Sequence, residues 1–130
     1  MSAGLVAAYR RTTYEADGAR ARIGRRSAAV DALLRRLGAR QGGFVTAWNP
    51  LSRRMPEGWN RRLQDRLRAA ARRLPRAEGC GTAGAWTERH LLLAGDARRV
   101  ALLGRRFRQM AVVLVRRGQP ARLVMLWPQR

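Results

Sequence analysis

The 130-residue sequence contains no lysine, a single cysteine (Cys80), a single histidine (His90) and two asparagines. A lone cysteine cannot form an internal disulfide, which favours a reducing, cytoplasmic location. No second ligand lies at a useful spacing from His90, which argues against a zinc site. The longest apolar runs are too short to span a bilayer, and the N-terminus lacks the pattern of a signal peptide. We therefore expect no metal, no cofactor and no membrane.

Acidic residues are also scarce, with eight Asp and Glu against 28 basic residues, all of them arginine, for a formal net charge of +20. A charge of this size is typical of nucleic-acid-binding proteins. The absence of lysine and the scarcity of asparagine, isoleucine and phenylalanine are, however, typical of GC-rich coding sequence, in which arginine becomes the default surface residue. The charge therefore has two interpretations, compositional drift or contacts with phosphates.

With 46% hydrophobic residues, the chain is apolar enough to bury a core as a single domain over residues 1–130, with its core at about 9–127. Helical and strand periodicities alternate along it in the order β-α-β-α-β-α-β-β, after a short helical lead at residues 3–10. The patterns predict an α+β fold, a mixed β-sheet with about three helices packed on one face.

Three local expectations follow from the same patterns. Residues 20–26, with four arginines, are loop-like, and residues 75–84 form a loop or a frayed strand with Cys80 exposed in it. The second main helix presents an apolar stripe that begins at Trp59 and continues through Leu63 and Leu67 toward the core.

The most distinctive stretch is the corner at residues 44–60. An apolar strand ends at Asn49-Pro50, where the proline keeps Asn49 out of the right-handed helical region and the Asn side chain is able to bond nearby backbone. A helix then begins near Pro56. Both asparagines of the chain, Asn49 and Asn60, lie in this window, each directly after a tryptophan.

These residues resemble the bacterial family known as domain of unknown function 3293. The matching features are Tyr14, the string Phe44 to Pro50, Asn60, the Trp86-x-Glu88 strand and the helix end at residues 105–111. The resemblance covers nearly the whole chain, and Thr-Ala-Trp-Asn-Pro is its specific part. It implies candidate positions and no reaction, since the family has no assigned activity. The family pattern has Gly-Gln-Asn-Ala where this chain has Arg-Gln-Met-Ala at 108–111, and a Ser near the position of His90.

The polar residues of these motifs are the candidate ligand-binding residues, namely Thr46, Asn49, Asn60, Glu88 and Gln109. In one interpretation they line a cleft at the end of the strand, where open sheets hold ligands. In the other, the amides only satisfy the backbone of a buried turn. We favour the turn for Asn49 and Asn60, and both interpretations stay open for Gln109.

Glu88 and His90 lie two apart on a predicted strand and so share a face. They are weak catalytic candidates as an acid–base pair, although Glu88 is more often expected to pair with a guanidinium.

The sequence thus favours a binding or interaction module with a polar cleft at residues 44–60, for an unidentified ligand or protein. The alternative is a nucleic-acid-associated protein that uses Arg–phosphate contacts, with phosphate-contact candidates at Arg20, Arg22, Arg25 and Arg26. An enzyme that uses Glu88 is the third hypothesis.

Overall fold

A computed structural model describes residues 3–127 of the chain. The helices are α1 (Ala3–Arg11), α2 (Ala28–Arg36), α3 (Glu57–Ala70) and α4 (Ala97–Arg106), with a 3-10 turn at Pro50–Ser52. The strands are β1 (Thr13–Ala16), β2 (Ala19–Ala21), β3 (Gln41–Val45), β4 (Arg76–Ala83), β5 (Trp86–Ala94), β6 (Ala111–Arg116) and β7 (Arg122–Met125). None of the helices in this part of the chain is long and apolar enough to cross a membrane.

The strands form one seven-stranded sheet in the order β2-β1-β4-β5-β3-β6-β7. All six strand pairs are antiparallel, and the parallel component is an isolated bridge between Ile23 and Ala121. Three main helices, α2, α3 and α4, pack on this sheet beside the short α1. The predicted α+β class is confirmed.

The helices cover both faces of the sheet, so the expectation that they lie on one face is wrong. Phe44 and Leu92 pack under α2, whereas Val45 and Leu91 pack under α3 and α4. Neighbouring residues of a strand point to opposite faces, and β3, β5 and β6 are apolar at consecutive positions. Both faces of these central strands therefore need cover.

Two stretches expected to be loops are strands. Ala19 and Ala21 of β2 are buried on either side of exposed Arg20, which turns part of the arginine-rich stretch into an edge strand. In β4, Gly79 allows the backbone of β1 to approach, because an added Cβ would overlap the Glu15 carbonyl. Cys80 is consequently half-buried in a strand and not in an exposed loop.

The inward face of α3 follows the expected stripe at Leu67 and at half-buried Leu63, but it departs from that stripe at Trp59. Its buried residues are Asn60, Gln64 and Leu67, while Trp59 is 46% exposed. The amide side chains therefore lie inside because they bond the preceding corner, and the large aromatic lies outside. The expectation that Trp59 serves the core is wrong.

Candidate ligand-binding cleft

An open cleft of about 830 Å³ lies on the sheet face that carries Tyr14 and Phe44. Helix α1 contributes Tyr9 to its lining, and the sheet contributes residues from five strands and from the corner after β3. Four of the five predicted binding residues line it, namely Thr46, Asn49, Glu88 and Gln109. Asn60 is not part of the lining. The four residues that line the cleft lie far apart in sequence, and the fold brings them together.

Asn49 is bonded on every polar side-chain atom. Its Nδ2 donates to Glu88 Oε2 at 2.9 Å. Its Oδ1 accepts from the Met55 backbone N–H and from Asn60 Nδ2, each at 2.9 Å. The Asn49 N–H donates in turn to Asn60 Oδ1 at 2.8 Å. Asn60 therefore stabilises the corner, whereas Asn49 both stabilises the corner and donates a hydrogen bond to the Glu88 carboxylate of the cleft.

The backbone of this corner is strained. Asn49, Leu51 and Ser52 have φ values of 49°, 54° and 60°, in the left-handed region that side chains other than Asn, Asp and Gly adopt at a cost. The Leu51 N–H donates to the Arg108 carbonyl at 2.7 Å, which ties the loop to the end of α4. Asn suits position 49 because its short amide tolerates this conformation and bonds locally. Such strain concentrates at functional sites.

Thr46 and Gln109 line the cleft, but their polar groups are largely bonded to backbone. Thr46 Oγ1 donates to the Arg89 carbonyl at 2.6 Å and accepts from the Trp48 N–H at 2.9 Å. Gln109 Nε2 donates to the carbonyls of Trp48 and Phe107, each at 3.2 Å. Both residues shape the wall of the cleft, and the Thr46 hydroxyl and the Gln109 Nε2 are already used on backbone atoms.

Glu88 is the half-buried carboxylate of the cleft, with 21% of its side chain exposed. Burial raises its pKa, while hydrogen bonds from Asn49 and Trp86 act in the opposite direction. Within residues 3–127, no guanidinium forms an ion pair with it. The expectation of a guanidinium partner is therefore wrong, and an amide holds Glu88 instead.

His90 lies beside Glu88 on β5 and stacks on Tyr14 with ring centroids 5.5 Å apart. Its Nε2 is 4.0 Å from Glu88 Oε1, which is too long for a hydrogen bond. Burial lowers the pKa of His90 to about 4, so the ring is neutral at pH 7. Its buried Nδ1 has no hydrogen-bond partner in the described part of the chain. The two side chains share the cleft but form no hydrogen-bonded acid–base pair.

With this geometry in place, the comparisons with known proteins identify the family. The sequence profile described as Protein of unknown function (DUF3293) matches residues 45–112, which span the corner, α3, β4, β5 and α4. This chain belongs to the DUF3293 family. No curated protein matches the chain, and no solved structure does either.

The departures of this chain from the DUF3293 pattern have a structural counterpart. Arg108 has a φ of 55°, a conformation that a glycine, which the resemblance leads us to expect at this position, adopts without strain. Met110, where the pattern has Asn, contributes a carbonyl that accepts from the Leu126 N–H at 3.0 Å. Because position 110 is Met and not Asn, Gln109 is the amide side chain that this segment contributes to the cleft wall.

Three residues that shape or line this cleft were not among the candidate ligand-binding residues predicted from sequence. Gln64 accepts the Ala47 N–H at 2.9 Å and so fixes the end of β3. Tyr9 and Tyr14 line the cleft, and burial raises the pKa of both hydroxyls, with the charge of Glu88 acting in the same direction. Gln64 could have been found from sequence, because it is an uncharged amide four residues after Asn60 in a helix that is otherwise rich in charged residues.

The four predicted phosphate-contact arginines, Arg20, Arg22, Arg25 and Arg26, are all exposed. Arg22 differs from the other three because its guanidinium donates to the Arg10 carbonyl at 3.1 Å and borders the cleft. Arg54 borders the cleft as well, with its guanidinium 5.7 Å from the Trp86 ring centroid. Among residues 3–127, no cluster of three His, Cys, Asp or Glu side chains is able to hold a metal ion.

Proposed function

We propose that this DUF3293 protein is a binding module that holds a small organic ligand in the cleft beside Asn49. The observation that carries the proposal is the state of Glu88. It is a carboxylate in a chain of 28 arginines, yet its hydrogen bonds come from Asn49 and Trp86 and not from a guanidinium. A half-buried carboxylate without a cationic partner is unfavourable, and a ligand that supplies a cationic donor would offset that cost.

The chemistry of the lining favours a ligand with an N–H donor. Glu88 Oε2 already accepts from Asn49, and Oε1 lies 4.0 Å from the neutral His90. Oε1 is thus placed to accept from an amine, an amidine or a heterocyclic N–H. The volume of about 830 Å³ falls within the range of small-molecule sites.

The walls and the rim suggest the rest of the ligand. Tyr9, Tyr14 and Trp86 supply aromatic surface for a flat or apolar body. Arg22 and Arg54 at the border favour a ligand whose far end is anionic. Amino acids and nucleotides combine a donor at one end with an anion at the other, so they are the first classes to test.

The test is a thermal-unfolding screen with separate pools of amino acids, nucleosides, nucleotides, polyamines and simple carboxylic acids. We expect a pool of donor-bearing compounds to raise the melting temperature, because a ligand at a hundred times its Kd stabilises the folded state by about 2.7 kcal/mol. Simple carboxylic acids, which lack the donor, serve as the negative pool.

The matched variants are Glu88→Gln and Glu78→Gln. Glu78 is an exposed carboxylate of β4 that pairs with Arg68 at 2.8 Å, so its neutralisation changes the net charge equally and leaves the cleft intact. The ligand-induced shift should disappear in the Glu88 variant and persist in the Glu78 variant. A shift that survives Glu88→Gln, or no shift with any pool, would contradict the proposal.

The alternatives have tests of their own. The nucleic-acid hypothesis is supported by exposed Arg20, Arg25 and Arg26, and it requires binding to an oligonucleotide that weakens steeply between about 50 and 200 mM salt. The enzyme hypothesis requires that a compound found in the screen be consumed in a Glu88-dependent manner, which NMR of the mixture would detect. A cytoplasmic location, argued from the lone Cys80, is part of the same proposal.

A further inference from the structure

A second concave surface lies on the other face of the sheet, between α3 and α4. Two adjoining cavities of about 660 and 440 Å³ form it. They share Ala70, Arg72 and Arg106 in their linings, so they make one continuous groove. The groove is separate from the cleft of Glu88, and the proposed function does not use it.

The floor of the groove is apolar. Leu63, Ala70 and Leu74 of the α3 region and Leu103 of α4 pack against the core with part of their surface open. At its margins Trp59 is 46% and Leu102 55% exposed. Large apolar side chains left open beside an apolar floor are typical of interaction sites.

The rim of the groove is entirely cationic. Six arginines line the two cavities, namely Arg66, Arg72, Arg73, Arg99, Arg106 and Arg108. No Asp or Glu is part of either lining. Within residues 3–127 none of the six forms an ion pair, since the arginines that do so are Arg36, Arg61 and Arg68. The apolar floor is thus bordered by arginines whose positive charges are not paired with carboxylates in the described residues.

We propose that the α3–α4 groove binds an acidic amphipathic helix of a partner protein. Such a helix places apolar side chains at i, i+3, i+4 and i+7 on the floor, while its carboxylates meet the six arginines bidentately. The 14 residues of α3 make a wall about 21 Å long, which matches a partner helix of about four turns.

A second copy of the chain does not fit this description. Helices α1 and α4 carry no acidic residue. In α3, Glu57 and Asp65 already pair with Arg61 and Arg68, and Asp31 of α2 accepts from the Gly118 N–H. No helix in the described residues offers a free acidic face, and two copies would oppose positive rims.

Nucleic acid is a less suitable occupant of this groove than an amphipathic helix. Single strands bind by stacking bases on successive aromatic side chains, and the groove has one exposed aromatic, Trp59. Its floor is mainly aliphatic, with Phe107 almost covered. Aliphatic side chains of a helix complement such a floor better than bases do.

The probe is a fluorescein-labelled peptide of about 15 residues, with Leu at helical spacing on one face and Glu on the other. Fluorescence anisotropy at about 0.15 M salt limits long-range attraction. A scrambled peptide of the same composition and a single-stranded oligonucleotide of equal charge are measured in parallel. The amphipathic peptide should bind at least about tenfold more tightly than either control.

Two pairs of variants locate the binding. Arg66→Glu with Arg106→Glu should weaken binding about tenfold or more, whereas Arg25→Glu with Arg26→Glu, an equal change in net charge, should alter it less than about twofold. Trp59→Ala with Leu102→Ala should weaken binding without any change of charge. Circular dichroism checks that each variant is folded.

Three results would overturn the proposal. Equally tight binding of the scrambled peptide would indicate attraction by charge alone. An equal loss of binding in both charge-reversal pairs would place the site elsewhere. Tighter binding of the oligonucleotide, with the same dependence on Arg66 and Arg106, would make the groove a nucleic-acid surface.

Discussion

The Asn49 amide donates to the Glu88 carboxylate at 2.9 Å, although 39 residues of sequence separate the two. This bond joins the corner after β3 to β5, which is its neighbour in the sheet. The same side chain accepts two hydrogen bonds within the corner. The structural and ligand-binding interpretations of Asn49 are therefore not exclusive, because one residue orders the turn and positions the carboxylate of the cleft.

Substitution of Asn49 separates its side-chain bonds from its backbone conformation. Asn49→Ala leaves the half-buried Met55 N–H without its acceptor, removes one of the two acceptors of the Asn60 amide and puts an alanine at a φ of 49°. We expect a loss of about 3 kcal/mol in the free energy of unfolding. Asn49→Gly loses the same bonds but tolerates the left-handed backbone, so it should be about 1 kcal/mol more stable than the Ala variant.

Urea denaturation with an unchanged m-value is the measurement for both variants. Equal stability of Asn49→Gly and Asn49→Ala would mean that the left-handed backbone contributes nothing. Wild-type stability of both would show that the corner does not depend on the side chain at all.

The sequence was sufficient for features that local chemistry determines. The Asn49-Pro50 corner and the start of α3 after Pro56 depend on residues a few positions apart, and the structure contains both of them. The resemblance to the family led us to place Asn49 and Glu88 among the candidate residues of one cleft. The fold then brought four of the five candidates to one cleft.

The failures have a common physical cause, which is tertiary contact overriding local pattern. Trp59 looked like a core residue by hydrophobicity, but Asn60 and Gln64 turn inward because the corner needs their amides. Residues 20–26 looked like a basic loop, but pairing with β1 places Arg20 and Ala21 in a strand. Local sequence also could not show that Glu88 pairs with an amide and not with a guanidinium. That partner depends on which element of the fold lies opposite the carboxylate.

Gln64 provides a test of that inward stripe. Its Oε1 accepts the buried Ala47 N–H at 2.9 Å, so Gln64→Met preserves volume but leaves that N–H without a partner. The substitution also removes Gln64 Nε2, which is buried without a hydrogen-bond partner among the described residues, so we expect a net loss of about 1 kcal/mol. Gln119→Met, at an exposed position, should change the stability by less than about 0.5 kcal/mol. Equal effects of the two substitutions in urea denaturation would contradict the structural role of Gln64.

Arg108 should be a position where glycine stabilises the protein. Relief of its φ of 55° gains about 1–2 kcal/mol, and the greater freedom of an unfolded glycine removes about 0.4–1 kcal/mol of that gain. We expect a net increase of about 0.5–1 kcal/mol for Arg108→Gly. Arg98→Gly, on the exposed face of α4, loses the same charge and should lower the stability by about 1 kcal/mol. Thermal unfolding distinguishes the two signs, and a destabilised Arg108→Gly would refute the expectation.

His90 should make the folded protein sensitive to mild acid. Its pKa of about 4 lies below the usual 6.5, so the unfolded chain binds the proton first. The stability that neutral His90 contributes is present above about pH 6.5 and is lost as the pH falls toward 4, with a total of roughly 3 kcal/mol. Glu88 acts with the opposite sign, because its raised pKa makes its contribution fully present below its unfolded pKa and lost as the pH rises through its folded pKa.

Stability curves between pH 4 and 7.5 for three proteins test this pair. His90 is the only histidine of the chain, so His90→Gln should flatten the acid loss relative to wild type. Glu88→Gln removes the opposing contribution, so its acid loss should be steeper than that of wild type. If His90→Gln instead retains the wild-type slope over this range, His90 is already exposed or charged in the folded protein, and the cleft does not hold a neutral imidazole beside Glu88.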